Sequence, residues 1–175
     1  MKNVYIACGL THVPREEFNG YAALIHSLAA TLHTRGIARV RYALRDSDPQ
    51  LALRPAKDRA RLCYEWDRDM VLWADVLVAD VTYPSIGLGI ELQIAAARAT
   101  PTLLCFRHDE RHRARPVEYR NPDASRHSLQ IGEGYVSLMA LGLPTVRQVI
   151  PYTSSDEAIQ SVCAAMTNPI VLSEE

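Results

Sequence analysis

The sequence predicts an α/β chain: a central parallel sheet of five strands, doubly wound, with helices on both faces. Three observations carry that expectation. Strand-like and helix-like segments alternate along the chain, a pattern that right-handed crossovers fold into a parallel sheet. One strand-like run, VLVADV at residues 76–81, is almost continuously apolar, as a strand covered on both faces must be. The 175 residues, 48% of them apolar, suit a single domain with a sizeable core.

Residues 3–8 (NVYIAC) read as the first strand. Over 15–35, Tyr21, Leu24, Ile25, Leu28 and Leu32 fall at helical spacing, and Gly36 stops that helix. Residues 38–44 (ARVRYAL) suggest a second strand and 45–50 (RDSDPQ) a loop. A charged helix is expected from about 55 to 73, the central strand over 76–81, and an alanine-rich helix over 87–99. Residues 102–106 (TLLCF) read as a fourth strand and 145–150 (TVRQVI) as a fifth. Ser154 and Glu157 form a capping box that opens a last helix to about Met166. The sum is a flavodoxin- or Rossmann-like domain over the whole chain. One polar excursion, residues 107–130, interrupts the alternation with six arginines and three histidines. A connection of that length is either functional or a solvated surface loop.

Composition excludes several classes. Basic and acidic residues number 19 and 20, so no global charge points to a nucleic-acid polymer. No apolar run approaches the roughly 20 residues that span a bilayer, and the N-terminus enters a strand without a signal-type segment. A cytoplasmic protein is expected. Cys8, Cys63, Cys105 and Cys163 are widely spaced and read as free thiols in a reducing compartment. His108 and His112 lie in HDERH rather than HExxH, which argues against a metal site. No cofactor is expected.

The most informative stretch is WADVLVADVTYPSIGLGIE, from Trp73 to Glu91. It reads as a buried strand, a turn, and a carboxylate delivered into the first turn or so of a helix, at the sheet edge where such folds build sites. Ser85 is a candidate N-cap. Gly87 and Gly89 allow the backbone to approach a ligand. The helix dipole favours an ionised Glu91, and an ionised carboxylate at a pocket edge can attack a sugar carbon. By position alone, Glu91 is equally a residue placed there by the dipole. Asp67 and Asp69, on the preceding helix, can reach the same edge, although an exposed charged face explains Asp69 as well. Tyr5, on the first strand, can donate a hydrogen bond to a nucleophile or be ordinary core. Tyr83, in the turn, is the best candidate for stacking on a base. Trp66 and Trp73 read as core or subunit contacts.

VYIACG, together with D-x(7)-D-V-x-V-A-D-V-T-x-P-S-x-G-x-G-x-E-L from Asp67 to Leu92, resembles the nucleoside 2-deoxyribosyltransferase family. The branch most like it is that of the 2'-deoxynucleoside 5'-phosphate N-hydrolases. The likeness covers Val4–Arg15 and roughly Glu65–Phe106. It implies that Glu91 is the nucleophile that forms a glycosyl–enzyme ester, that Asp67 assists proton transfer or sugar positioning, and that Tyr5 orients Glu91. It implies that Ser85, where the transferases tend to have an aspartate, binds a 5'-phosphate, with the amides of Gly87 and Gly89 facing it. In the hydrolases the first glycine is followed by a serine and then a basic residue. Here Gly9 is followed by Leu10, Thr11 and His12, so Thr11, His12 and nearby Arg15 are the candidates for that contact. The resemblance also implies a nucleotide or nucleoside ligand and a homodimer or higher homo-oligomer, in which the excursion, with Ser125 and Ser128, can complete a neighbour's site.

The expected activity is hydrolysis of a nucleoside 5'-monophosphate at its N-glycosidic bond. Base exchange through the same intermediate is the alternative, and a non-catalytic nucleotide-binding module is the second.

Overall fold

The computed structural model describes residues 1–168. Its elements run β1 (Lys2–Cys8), α1 (Arg15–Thr34), β2 (Ala38–Tyr42), α2 (Ala43–Asp46), α3 (Asp48–Ala52), α4 (Ala56–Trp73), β3 (Val76–Asp80), α5 (Ile86–Ala97), β4 (Thr102–Arg107), β5 (Glu118–Arg120), β6 (Arg126–Ser128), α6 (Leu138–Leu141), β7 (Val146–Tyr152) and α7 (Ser155–Thr167). Five strands form one sheet in the order β2-β1-β3-β4-β7, and every pairing in it is parallel. The chain winds outward from β1 in one direction and from β3 in the other. Their carboxyl ends therefore flank the crevice where doubly wound sheets bind ligands.

Period-two alternation along each strand feeds two separate cores. Val4, Ile6, Val76, Val78 and Leu103 pack under α1 and α7, against Leu24, Leu28, Leu32 and Val162. Tyr5, Ala7, Leu77, Ala79 and Leu104 pack on the opposite face, against Met70 and Val71 of α4 and Leu88, Leu92 and Ala95 of α5. Each fully buried leucine or isoleucine contributes about 1.5–3 kcal/mol. All five residues of β3 are buried, the carboxylate of Asp80 among them.

The boundaries depart from the sequence reading in three places. Residues 43–52 form two short helices instead of a strand end and a loop. Turn-forming Asp, Ser and Pro dominate there, and four- or five-residue helices leave no apolar period to read. The capping box is only half made: Ser154 Oγ accepts from the Glu157 amide at 3.2 Å, while Glu157 accepts from the amide and hydroxyl of Thr153, both at 2.7 Å. The polar excursion contains a 3-10 turn at Glu110–His112 and an isolated antiparallel ribbon of β5 and β6. Its neck is closed where the Ala114 amide meets the Gly134 carbonyl at 2.8 Å and the Arg113 guanidinium meets the Glu133 carbonyl at 2.9 Å. Gly134 has φ +89°, and a Cβ there would lie 2.7 Å from the Ala114 carbonyl oxygen.

Two helices end in the same way at different cost. After α1, Gly36 takes the left-handed conformation, its amide bonding the His33 carbonyl and that of Ile37 bonding Leu32. After α5 the equivalent position is Ala99, at φ 55°, with the same pair of bonds from Ala99 to Ala96 and from Thr100 to Ala95. A Cβ in that conformation costs an L-residue about 1–2 kcal/mol, part of which glycine returns as lost chain entropy. Ala99→Gly should therefore raise stability by about 0.5–1 kcal/mol, read as a higher urea midpoint. An unchanged or lower midpoint would contradict this account of the α5 terminus.

Candidate active site

Three elements converge beneath the N-terminal half of α5. Tyr5 faces the α4/α5 side of β1 and is 1% exposed. Its hydroxyl donates to Glu91 Oε1 at 2.7 Å, across 86 residues of sequence. Asp67 projects from α4, close enough that its charge acts on both Tyr5 and Glu91. The Ser47 hydroxyl, 1% exposed at the α2–α3 junction, donates to Asp67 Oδ1 at 2.7 Å. The Cys63 thiol approaches Oδ2 at 3.5 Å.

Burial sets the electrostatics. Glu91 is 9% exposed, and loss of solvent pushes its carboxyl up to about 8. The Tyr5 hydrogen bond opposes that rise and the Asp67 charge adds to it. Burial also raises Asp67, against the hydrogen bonds from Ser47 and Cys63, and it raises the Tyr5 phenol. Helix α5 begins at Ile86 and has no acidic residue in its first turn. Glu91 thus lies beyond the reach of the dipole, which fades within a turn. The expectation of a dipole-ionised carboxylate gives way to a desolvated one.

The turn after β3 is fixed from several sides. Asp80 is 4% exposed and accepts from the Tyr21 hydroxyl at 2.9 Å, the Tyr152 hydroxyl at 2.7 Å and the Thr82 amide at 3.1 Å. Thr82 Oγ1 in turn accepts from the Arg107 amide at 2.9 Å. Tyr83 is 3% exposed, with Tyr21 and His112 edge-on to it. Its hydroxyl donates to Glu17 Oε2 at 2.8 Å. Tyr83 thus belongs to the buried core, and it also lines a cavity beside the turn. Glu17 also accepts from Arg107 at 2.9 Å, with Arg111 and His112 each 3.7 Å away. That carboxylate ties the start of the excursion to the turn.

The remaining candidate residues separate into distinct positions. Ser85 caps α5, its Oγ accepting from the Leu88 amide at 3.3 Å, which leaves its hydroxyl proton to donate outward. A Cβ on Gly9 would lie 2.7 Å from the Tyr83 carbonyl oxygen and 2.9 Å from Ser85 Cβ. Gly9 therefore lets the β1 loop touch the β3 turn. Gly87 and Gly89 have ordinary helical backbone, and a Cβ at either would meet nothing closer than Ser85 Oγ at 3.7 Å from Gly87. Packing does not require glycine at either position, although each costs about 1 kcal/mol in a helix. Gly87 is exposed and lies one turn before Glu91 on the same helical side. Thr11, His12 and Arg15 are exposed. Asp69 is exposed and pairs with Arg68 at 2.7 Å, outside the cluster. Trp73 packs at the edge of the α4/α5 core under the Arg41 guanidinium, and Trp66 lies near Arg54.

A cavity of about 620 Å³ borders this region. His12, Ser85 and Gly89 line one side, and Tyr135, Val136, Met139 and Leu143 line the other. None of Tyr5, Asp67 and Glu91 lines it, because Glu91 points from the other side of α5. Ser47 and Asp80 are the polar residues that sequence reasoning missed. Ser47 lay in an apparent loop, and Asp80 looked like one more position of a buried strand.

No family model matches the chain, and no curated protein sequence matches it. Solved structures do share its fold. A CMP N-glycosidase of Clostridium botulinum, BcmB, superposes with a TM-score of 0.54 at 19% identity, over 92% of this chain and 97% of its own. A conserved protein of Enterococcus faecalis V583 gives 0.55 at 18% identity, over 93% and 97%. At these identities the likeness establishes the Rossmann-like α/β fold. Among the described residues, no helix is long and apolar enough to cross a membrane, and no His, Cys, Asp and Glu cluster could hold a metal ion.

The displaced Glu91 carboxyl has a consequence for stability. Its folded value of about 8 stands above an unfolded glutamate near 4.3, so the folded state holds the proton more tightly. The stability this provides is complete below the unfolded value and is lost as pH rises through the folded one. Glu91→Gln keeps an acceptor for Tyr5 and never ionises. Its melting temperature should match that of the unaltered protein near pH 4 and exceed it by a growing margin up to about pH 9. A margin that stays constant with pH would show that Glu91 titrates as an ordinary surface carboxylate.

Proposed function

We propose that this protein is an N-glycosidase acting on a nucleoside 5'-monophosphate, releasing free base and (deoxy)ribose 5-phosphate through a covalent glycosyl ester on Glu91. The observation that carries this reading is the buried Tyr5–Glu91 hydrogen bond of 2.7 Å, with Asp67 beside it. A helix-capping glutamate would face solvent and need no phenol from a strand 86 residues away. That a CMP N-glycosidase shares the fold supports the same reading.

In the proposed reaction, ionised Glu91 attacks the anomeric carbon with Oε2 while Tyr5 holds Oε1. The C–N bond breaks, its electron pair leaves with the base, and the base takes up a proton. Asp67, with its raised affinity for a proton, supplies or receives protons in the two half-reactions. A water oxygen then bonds to the anomeric carbon, the ester bond breaks and Glu91 is regenerated. Positive charge on the sugar at the transition state favours the ionised Glu91 that burial disfavours in the free protein. The outward-facing Ser85 hydroxyl, the helix N-terminus at Gly87 and Gly89, and exposed Thr11, His12 and Arg15 are the proposed phosphate contacts. Ile86, Ile90, Leu138 and Met139 are exposed. Ile86 and Met139 border the cavity, which fits cover by a second copy of the chain in a homodimer or larger assembly.

A panel of nucleoside 5'-monophosphates and their unphosphorylated nucleosides, with chromatography of the released base, tests the proposal. Release from at least one monophosphate, at least a thousandfold slower in Glu91→Ala, is the expected result, by analogy with loss of other catalytic nucleophiles. Unimpaired turnover in Glu91→Ala would remove this mechanism. Base exchange without net hydrolysis when free base is added would convert the assignment to a transferase.

The electrostatics add a direction. The nucleophile must be ionised, so kcat/KM should rise with pH toward about 8, where Glu91 loses its proton. A profile that is flat from pH 5 to 8 would place the essential ionisation elsewhere.

A further inference from the structure

We propose that Ser47 is a positioning residue for Asp67: it fixes the carboxylate that serves Glu91 and so governs turnover without touching substrate. This rests on the role given to Asp67 above. Ser47 stands at the position from which it would cap α3, yet its side chain makes no capping bond. Such a cap is worth about 1 kcal/mol, and the hydroxyl forgoes it to donate to Asp67 Oδ1 at 2.7 Å. The other acceptor within reach, the Ala43 carbonyl, is 3.5 Å away. One hydroxyl has one proton to give, and the shorter contact takes it.

The backbone around Ser47 is fixed. Its amide bonds the Ala43 carbonyl at 3.1 Å, and its own carbonyl accepts from the Gln50 and Leu51 amides at 3.1 and 3.0 Å. Helix α2 is moored to the end of β2 by the Asp46 carboxylate, which accepts from the Tyr42 amide at 3.0 Å and from the Arg45 guanidinium at 2.8 Å. The short helices thus form a bracket at the carboxyl edge of the sheet, and Ser47, 1% exposed, is the point at which it grips α4. With the Cys63 thiol 3.5 Å from Oδ2, both oxygens of Asp67 have a partner, and its carboxyl plane is set before any ligand arrives. A hydrogen bond to the ionised form also holds the Asp67 carboxyl down against burial.

Ser47→Ala is the test, read in three ways on the intact chain. Its kcat should fall about tenfold to a hundredfold, the range for one hydrogen bond to a charged group, with KM within about twofold because no substrate contact is lost. The Asp67 carboxyl, followed by carbon-13 NMR, should titrate higher than with Ser47 in place. Added to Asp67→Asn, Ser47→Ala should cause no further loss of kcat. Unchanged kcat in Ser47→Ala, with Asp67→Asn impaired, would overturn the positioning role and leave that of Asp67 standing. So would an unmoved Asp67 titration, or an equal loss in the Asp67→Asn background. Full turnover in Asp67→Asn would overturn both. The titration decides where Asp67→Asn is too slow to measure.

Discussion

The site depends on a carboxylate that takes no part in the proposed chemistry. Asp80 ends β3 in the interior, where an unpaired charge would be ruinous. Its donors come from three separate elements: Tyr21 of α1, Tyr152 of β7 and the Thr82 amide. Burial pushes this carboxyl up and the three donors push it back. Meeting that demand draws α1 and the edge strand β7 against the same turn. The turn then has one course, which passes so close to Gly9 that no side chain fits between them. The start of α5 follows from that course, and with it the places of Ser85 and Glu91.

Around Glu91 two effects oppose each other. Desolvation is the larger and favours the protonated carboxyl, while the Tyr5 phenol favours the ionised one. The helix dipole is a minor influence at that depth. The reactivity of the group is thus set by how much solvent it sees, and anything that displaces the surrounding solvent moves it. Asp67 obeys the same rule with weaker burial and more donors. Two neighbouring carboxylates held to different proton affinities by their surroundings are what acid–base assistance of a nucleophile requires.

Much of this was legible in the sequence, for identifiable reasons. The almost continuously apolar run at 76–81 announced a doubly covered strand, and the helical spacing from Tyr21 to Leu32 announced α1. Glu91 drew notice by its place after the β3 turn, and the family resemblance singled out Ser85, Gly87, Tyr5 and Asp67; the structure puts Tyr5 and Asp67 beside Glu91. What could not be read was set by contacts distant in sequence. Ser47 and Asp67 are 20 residues apart and meet only because two very short helices fold back. Tyr83 looked like an available ring, and its packing against Tyr21 and His112 and its bond to Glu17 could not be read from a turn position. The depth of Glu91 was misjudged because helix starts are uncertain by a residue or two, and that is enough to carry a side chain from the dipole into the core.

The pinched neck of the excursion has a different kind of consequence. The chain leaves at Arg113–Ala114 and returns at Glu133–Gly134, where backbone and guanidinium bonds close the gap. What lies between is a detachable module: its length and side chains can drift without altering the register of any strand in the main sheet. Evolution can therefore rewrite the ribbon while the cluster around Glu91 stays as it is. A protein engineer has the same freedom at the same two joints.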